Sequence, residues 1–294
     1  MRSVLILGSN GLLGSYLYRI GRANGLQTVG LSRTKSHFVD IQGDATNYRW
    51  VERKLAETKC DVVINAIKFK GSTDDCETRK AECWQSNFAL PAFLASTQRK
   101  LGYVLVQIST DWVYEGKRGE LYDESSLPYP QNYYALSKFA AEIAVSSSIR
   151  YLTLRTTGLF GLEKPPRNIL ARLIDALQNK RKFEAASDEY AQPISALELS
   201  NIIYELLERG VVNKVLNATG PEYISRFQFA RCIARTLGYN ERLVSKVSSS
   251  KRSVKVPRYL RTDNTEMQRL LGHEVKPLSR MIEDLKSPGW NLHS

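Results

Sequence analysis

The fold is decided by the amino-terminal stretch Val4-Leu5-Ile6-Leu7-Gly8-Ser9-Asn10-Gly11-Leu12-Leu13-Gly14. It predicts a strand, a tight turn and the start of a helix. Glycines spaced three residues apart permit the turn, the close approach of a pyrophosphate and close helix packing. The amino terminus of the following helix would then face the anion. We interpret every residue from Gly8 to Gly14 as part of a dinucleotide-binding turn, with an ordinary glycine-rich turn as the alternative.

Strand-like and helical patterns alternate beyond this turn. Strands are predicted at 28–32, 62–66, 103–109, 151–155 and 212–218, and helices at 50–58, 77–101, 133–148, 195–209 and 225–237. Such alternation predicts a Rossmann-like α/β fold, a doubly wound parallel sheet with helices on both faces. The pattern becomes less regular after Gly161. We expect a dinucleotide-binding domain at 1–161, joined by part of 190–220, and a smaller, discontinuous substrate-binding lobe mainly at 162–294.

Composition narrows the class of protein. Of 294 residues, 43% are hydrophobic and 24% charged, as in soluble globular proteins, and no apolar run approaches the ~20 residues that span a bilayer. We therefore expect a cytoplasmic protein without a membrane partner. The four cysteines form no CxxC pair, so no metal site is expected. The net charge of +12 is spread along the chain, which favours an anionic small substrate over nucleic acid.

A second informative stretch is Asn132-Tyr133-Tyr134-Ala135-Leu136-Ser137-Lys138. Tyr134 lies four residues before Lys138 at the start of a predicted helix, so both side chains share one face. A phenol titrates near pH ~10 unless a cation stabilises its anion, and Lys138 is the candidate for that cation. Thr110 ends a predicted strand, at the edge where doubly wound sheets bind ligands, and supplies a hydroxyl. The alternative is an ordinary amphipathic helix.

These features together resemble the extended short-chain dehydrogenase/reductase family, in its nucleotide-sugar ketoreductase branch typified by dTDP-4-dehydrorhamnose reductase. The shared motifs run nearly end to end: Gly8-x-x-Gly11-x-x-Gly14, 62–66, Asn87 with Leu90-Pro91, 109–114, Tyr134-x-x-x-Lys138, 154–161, Gln192-Pro193 and 256–258. The resemblance implies reduction of a keto group on a nucleotide-linked sugar, in polysaccharide biosynthesis.

The resemblance also implies roles for single residues. Thr110 would hold the substrate oxygen, Tyr134 would be the general acid, and Lys138 would lower the tyrosine pKa and bind the nicotinamide ribose. Further cofactor contacts are expected from Asp44 with Ala45, near the adenine, and from Asn65 with Ala66, in the cleft. Further substrate contacts are expected from Asp111, Gln192 and Arg258.

Other functions within the same fold stay open at this point. One is a non-catalytic regulatory subunit that resembles the methionine adenosyltransferase regulatory proteins, and another is a nucleotide-sugar epimerase or dehydratase. The sequence does not fix the oligomeric state, and a homodimer is one option.

Two segments depart from the branch pattern. Gly158 stands where family members usually carry a tryptophan that packs on the substrate sugar. The segment Lys68-Phe69-Lys70-Gly71-Ser72-Thr73-Asp74 differs in sequence and apparent length. Loops at strand ends shape substrate pockets, so we expect a different nucleotide sugar.

The end of the second predicted strand indicates the cofactor. An NAD site usually presents a carboxylate about 20 residues after the glycine turn. This chain has Ser32-Arg33-Thr34-Lys35 instead, with no carboxylate before Asp40. Because Arg33 can grip a phosphate and Ser32 can add a hydrogen bond, we expect NADPH, with NADH as the second option.

Overall fold

The computed structural model describes residues 1–249 and 254–287. The strands, in chain order, are β1 (Ser3–Leu7), β2 (Gln27–Ser32), β3 (Ile41–Gln42), β4 (Val62–Asn65), β5 (Val104–Thr110), β6 (Tyr151–Thr156), β7 (Phe183–Ala186), β8 (Tyr190–Ala191), β9 (Lys214–Asn217), β10 (Ile224–Ser225) and β11 (Val244–Val247). The helices are α1 (Leu12–Ala23), α2 (Tyr48–Thr58), α3 (Asp75–Thr78), α4 (Lys80–Trp84), α5 (Leu90–Leu101), α6 (Tyr133–Ser146), α7 (Ile169–Gln178), α8 (Ala196–Glu208), α9 (Arg226–Thr236), α10 (Thr265–Leu271) and α11 (Leu278–Asp284).

A seven-stranded parallel sheet forms the centre of the molecule, in the order β3-β2-β1-β4-β5-β6-β9. The chain runs outward from β1 to β3 and then returns to place β4 on the other side of β1. Ligands bind in the crevice where a sheet reverses its strand order in this way. The predicted doubly wound, Rossmann-like fold is therefore confirmed.

Helices bury both faces of this sheet. Along β1, Val4 and Ile6 belong to one apolar cluster and Leu5 and Leu7 to the other. The first cluster packs α1 and α8 against the sheet and continues into the second lobe, whereas the second packs α2 and α5. A strand buried on both faces reads as a continuous apolar run, which is why β1 was recognisable in the sequence.

Two small sheets and α7, α9 and α11 build the second lobe. β8 pairs antiparallel with β10, and β7 pairs in parallel with β11. Between these pieces, α8 packs on α1 and β9 joins the edge of the large sheet. The boundary at residue 161 stays a prediction, and its second part includes residues 250–253 and 288–294, which lie outside the described residues.

The predicted continuous helix at 77–101 is wrong. It is divided into α3, α4, a π-helical turn at Gln85–Ala89, and α5. Arg79 leaves the helical region, with φ −110° and ψ 50°. Pro91 lies in the first turn of α5, and a proline removes a hydrogen-bond donor and crowds the carbonyl four residues before it, which accounts for the wider turn there. Within 1–249 and 254–287, no helix is both long and apolar enough to cross a membrane.

Candidate active site

The glycine turn after β1 has the geometry of a phosphate cradle. Gly8 has φ +84° and its amide donates to the Leu31 carbonyl at 2.8 Å. A β-carbon on Gly14 would lie 2.2 Å from the Gly8 carbonyl oxygen, so only glycine lets α1 begin this close to the turn. The Ser9 hydroxyl is buried and has no hydrogen-bond partner among the described residues. A buried hydroxyl without a partner, beside a helix amino terminus, fits a cofactor phosphate.

Asn10 joins this turn to the turn after β2. Its side-chain amide donates to the Thr34 carbonyl, and its oxygen accepts from the Ser36 hydroxyl. Arg33, between β2 and this anchor, is exposed, and its guanidinium makes no ion pair or hydrogen bond in the described part of the chain. Ser32, the last residue of β2, is partly buried. The residues expected to read the ribose phosphate therefore lie beside the glycine turn.

The other predicted cofactor residues occupy different surroundings. Ala66 follows β4 and lies against the glycine turn, and Asn65 is buried with its amide donating to Gln107 at 2.8 Å. Asp44 is exposed and accepts hydrogen bonds from Thr46, whereas Ala45 is only 4% exposed and packs in the apolar core. Asn65 thus orients the end of β4 through its side chain, and the cofactor contacts of all four residues stay predictions.

The residues predicted to do chemistry meet at the carboxyl end of β5. The Asn132 side chain caps α6 by accepting a hydrogen bond from a first-turn amide at 2.9 Å. Tyr134 is thereby held in the first turn, where its phenol lies near the Thr110 hydroxyl. Lys138 lies one turn further along the same face, and its ammonium donates to the Ile108 carbonyl at 2.5 Å. Thr110 and Lys138 are both buried.

Burial controls the protonation of this group. Burial raises the pKa of Tyr134 to about 12, an effect that the nearby Thr110 hydroxyl opposes and the Asp111 charge adds to. It lowers the pKa of Lys138 to about 8, although the Glu142 carboxylate opposes that change. The net direction for Tyr134 is opposite to the family expectation of a lowered pKa, because desolvation outweighs the stabilising contacts. The phenol therefore keeps its proton at neutral pH, as a general acid must.

Asp111 is buried next to the reacting group. Burial raises its pKa to about 7, against the effect of hydrogen bonds from Thr157 and Thr110. Its Oδ2 atom has no hydrogen-bond partner among the described residues. The indole of Trp112, the next residue, lies edge-on to the Tyr134 ring with the centroids 5.7 Å apart. Both residues are therefore neighbours of Tyr134.

Two buried residues behind α6 were not among the predicted site residues. Glu142 lies one turn after Lys138, and Arg155 on β6 donates to both of its carboxylate oxygens at 2.8 to 3.2 Å. The signal for Glu142 was present in the sequence, because Tyr134, Lys138 and Glu142 repeat at intervals of four residues. Arg155 had no local signal, since its partner lies on another element.

A cavity of about 610 Å³ opens beside the start of α6. Asn132, which caps α6, is linked to the cavity wall because its side-chain amide donates a hydrogen bond to the carbonyl of Lys255 at 3.0 Å. Arg258, a predicted substrate contact, lines the cavity, and its guanidinium lies 3.7 Å from the Asp188 carboxylate; Glu115 is the carboxylate in the described wall. The cationic side chains of that wall, most of them missed from sequence, are Lys117, Arg118, Lys255 and Arg258. The excess of positive charge suits an anionic ligand.

Gln192 has the contacts of a structural residue. It is 5% exposed, and its side-chain nitrogen donates to the Gly220 carbonyl. Its side-chain oxygen accepts hydrogen bonds from the backbone N–H and the hydroxyl of Thr262. A substrate contact through Gln192 has no support from this arrangement and stays a prediction. Gly158 has φ +50°, and a β-carbon there would lie 3.1 Å from Pro193, so this position supplies no side chain to the site. In residues 1–249 and 254–287, no group of three or more metal-ligating side chains occurs.

Known proteins are similar to this chain over most of its length. The family model of the RmlD substrate binding domain matches residues 1–286. The dTDP-4-dehydrorhamnose reductase of Mycobacterium tuberculosis is 26% identical over 259 residues, which cover 87% of this chain and 82% of that protein. Methionine adenosyltransferase 2 subunit beta of Mus musculus is 25% identical over 79% of this chain and 71% of its own. The solved dTDP-4-dehydrorhamnose reductase of Bacillus anthracis, in complex with NADP, is 24% identical with a TM-score of 0.85 and covers 97% of this chain and 98% of that one.

Proposed function

The chain belongs to the RmlD substrate binding domain family, and on that premise we propose that it is an NAD(P)H-dependent oxidoreductase that reduces a keto group on a nucleotide-linked sugar. The observation that carries this proposal is the position of Tyr134 in the first turn of α6, near Thr110 at the end of β5, with Lys138 one turn later on the same helix face. This is the edge of the sheet where the glycine turn lies and α1 begins. NADPH is the preferred reductant because Arg33 is free to hold its additional phosphate, and NADH is the second option.

The residues divide the reaction between them. NADPH, when bound, supplies the hydride to the carbonyl carbon, and negative charge then develops on the carbonyl oxygen. The Thr110 hydroxyl holds that oxygen, and the Tyr134 phenol gives it a proton. The Lys138 ammonium, one helical turn after Tyr134, is assigned to stabilise the phenolate that Tyr134 becomes. Asp111 and Trp112 border the sugar.

The nucleotide end of the substrate is assigned to the cationic cavity. Gln131, three residues before Tyr134, lines this cavity, which supports placing the nucleotide there and the sugar at the phenol. Arg258 and Lys255 offer charge-assisted hydrogen bonds to a diphosphate, which are among the stronger polar contacts. A glycine at 158 leaves the sugar side of the site without the family tryptophan, which favours a sugar other than the 4-keto-6-deoxyhexose of the branch. A role in polysaccharide biosynthesis, a cytoplasmic location and a homodimer remain predictions.

The test is cofactor oxidation against a panel of nucleotide-linked 4-keto sugars. Tyr134→Phe should keep NADPH affinity and lose turnover by about a hundredfold or more, since it deletes only the transferable proton. The matched control is Tyr133→Phe, because Tyr133 is adjacent in sequence and packs against the same apolar cluster of Phe69, Cys76 and Cys83 as Tyr134, but it is out of the four-residue register with Lys138. Near-normal turnover by Tyr134→Phe would remove this residue from the mechanism. NADPH binding with no turnover on any keto sugar would instead favour the regulatory subunit that the methionine adenosyltransferase relative suggests.

A further inference from the structure

Glu142 occupies an unusual position for a buried carboxylate. It is 4% exposed, lies on the same face of α6 as Lys138, and follows Lys138 by one helical turn. Side chains at this spacing are neighbours, about 6 Å apart at their β-carbons. A buried carboxylate needs partners, and Glu142 has two: the Ser109 hydroxyl and the Arg155 guanidinium.

The two turns of α6 are matched to two consecutive residues of β5. Lys138 donates to the Ile108 carbonyl, and the Ser109 hydroxyl donates to Glu142. Any slide of the helix along the strand would break both contacts together. Arg155 on β6 adds a bidentate grip from the neighbouring strand, with its Nε and Nη2 atoms 3.1 and 2.8 Å from Glu142 Oε2. The carboxylate therefore fixes the helix that carries the phenol and the ammonium.

The charge of Glu142 also affects the protonation of Lys138. The charged and titratable groups near Lys138 in the described residues are Tyr134 and Glu142 on α6, Lys68 after β4 and the Cys83 thiol on α4. Lys68 repels a second positive charge, and burial also disfavours the ammonium. Glu142 is the carboxylate that opposes both effects.

We propose that Glu142 is a positioning residue for the proposed reductase: it fixes Lys138 against β5 and supplies the negative charge that keeps this buried amine protonated at neutral pH. A neutral Lys138 cannot stabilise the phenolate of Tyr134. The reaction then depends on a carboxylate that touches neither the reacting atoms nor the cofactor cleft.

The experiment measures the Lys138 proton directly. The chain is prepared with ¹³C at the lysine ε-carbons, and the Lys138 resonance is assigned as the signal missing from Lys138→Met. Burial lowers the pKa of Lys138 to about 8, and the titration midpoint should fall by about one further pH unit or more in Glu142→Gln, the effect of losing one nearby opposite charge. Glu142→Asp keeps the charge and should retain most of the wild-type midpoint. Glu205→Gln, on the distant α8, is the control and should leave it unchanged.

A second variant separates the effect of the lost Glu142 charge on Lys138 from its effect on folding stability. Glu142→Gln alone leaves Arg155 buried without its partner, which costs several kcal/mol when one member of a buried pair is removed. Combining it with Arg155→Met removes that stranded charge but does not restore the partner of Lys138. We expect the double variant to unfold near the wild-type temperature and still to show the lowered midpoint, with turnover at pH 8 reduced about fivefold or more, in proportion to the protonated fraction of Lys138.

A wild-type Lys138 midpoint in the folded double variant would overturn the proposal and leave Glu142 with a structural role only. The titration needs no cofactor or substrate. Its failure is therefore distinguishable from a failure of the proposed function, in which the wild type would show the titration but no turnover.

Discussion

Replacing Asp111 by asparagine should stabilise the folded protein in alkaline solution. The Asp111 pKa rises from 3.8 to about 7 on folding, because the carboxylate is buried. A group that binds its proton more tightly in the folded state loses stability as pH rises, between its unfolded and folded pKa values. The charged form then costs the folded state about 4 kcal/mol above pH 7, at about 1.4 kcal/mol for each tenfold change in proton affinity. Asparagine has nearly the same shape and carries no charge.

The assay is the free energy of unfolding in urea, at a series of pH values and without ligands. Between pH 5 and pH 8 the advantage of Asp111→Asn over the wild type should grow by about 2 to 3 kcal/mol, since only the wild type gains a buried charge over that range. Asp175→Asn, at a half-exposed carboxylate paired with Arg181, should show no such growth. A constant difference between Asp111→Asn and the wild type across this range would refute the reasoning, because the carboxylate would then be solvated or paired.

Two further predictions concern the ends of the two ligands. Arg33→Ala should raise the KM for NADPH about tenfold or more and leave the KM for NADH nearly unchanged, since a hydrogen bond to a charged group contributes about 1.5 to 3 kcal/mol. Arg53→Ala on α2 is the control. An unchanged cofactor preference in steady-state assays would show that the turn after β2 does not bind the additional phosphate. Arg258→Ala should weaken binding of the nucleotide sugar about tenfold, measured by calorimetry, because it also removes a hydrogen bond to a charged group. The control is Arg280→Ala, a surface change in the same lobe. Equal affinities of the two variants would show that Arg258 does not bind the substrate.

The elements that sequence reasoning found are those whose signal is local. The run Val4 to Leu7, the glycines after it and the cap at Asn132 each act within a few residues, so the sheet and the start of α6 were predictable. The division of the 77–101 helix was not, because Arg79 carries no breaking signal of its own. Pro91 did not identify the distortion either, because a proline is also common in the first turn of an undistorted helix.

The electrostatics of the site depend on contacts distant in sequence. Arg155 pairs with Glu142 from another strand, and Lys68 acts on Lys138 from a loop that the sequence could only mark as unusual. The raised pKa of Tyr134 follows from burial and from the charge of Asp111. Spacing identified the candidate residues for the chemistry, whereas their protonation depends on how the fold encloses them.

The return of the chain to the large sheet after residue 209 limits how the protein can be cut. A fragment ending at residue 161 would lack β9 and leave the edge of β6 unpaired, an open template for another strand. It would also lack α8, whose Tyr204 donates to the Leu17 carbonyl at 2.7 Å, and so expose the apolar face of α1. We expect such a fragment to aggregate. Proteolytic nicking between the lobes should leave two associated pieces that separate only in denaturant.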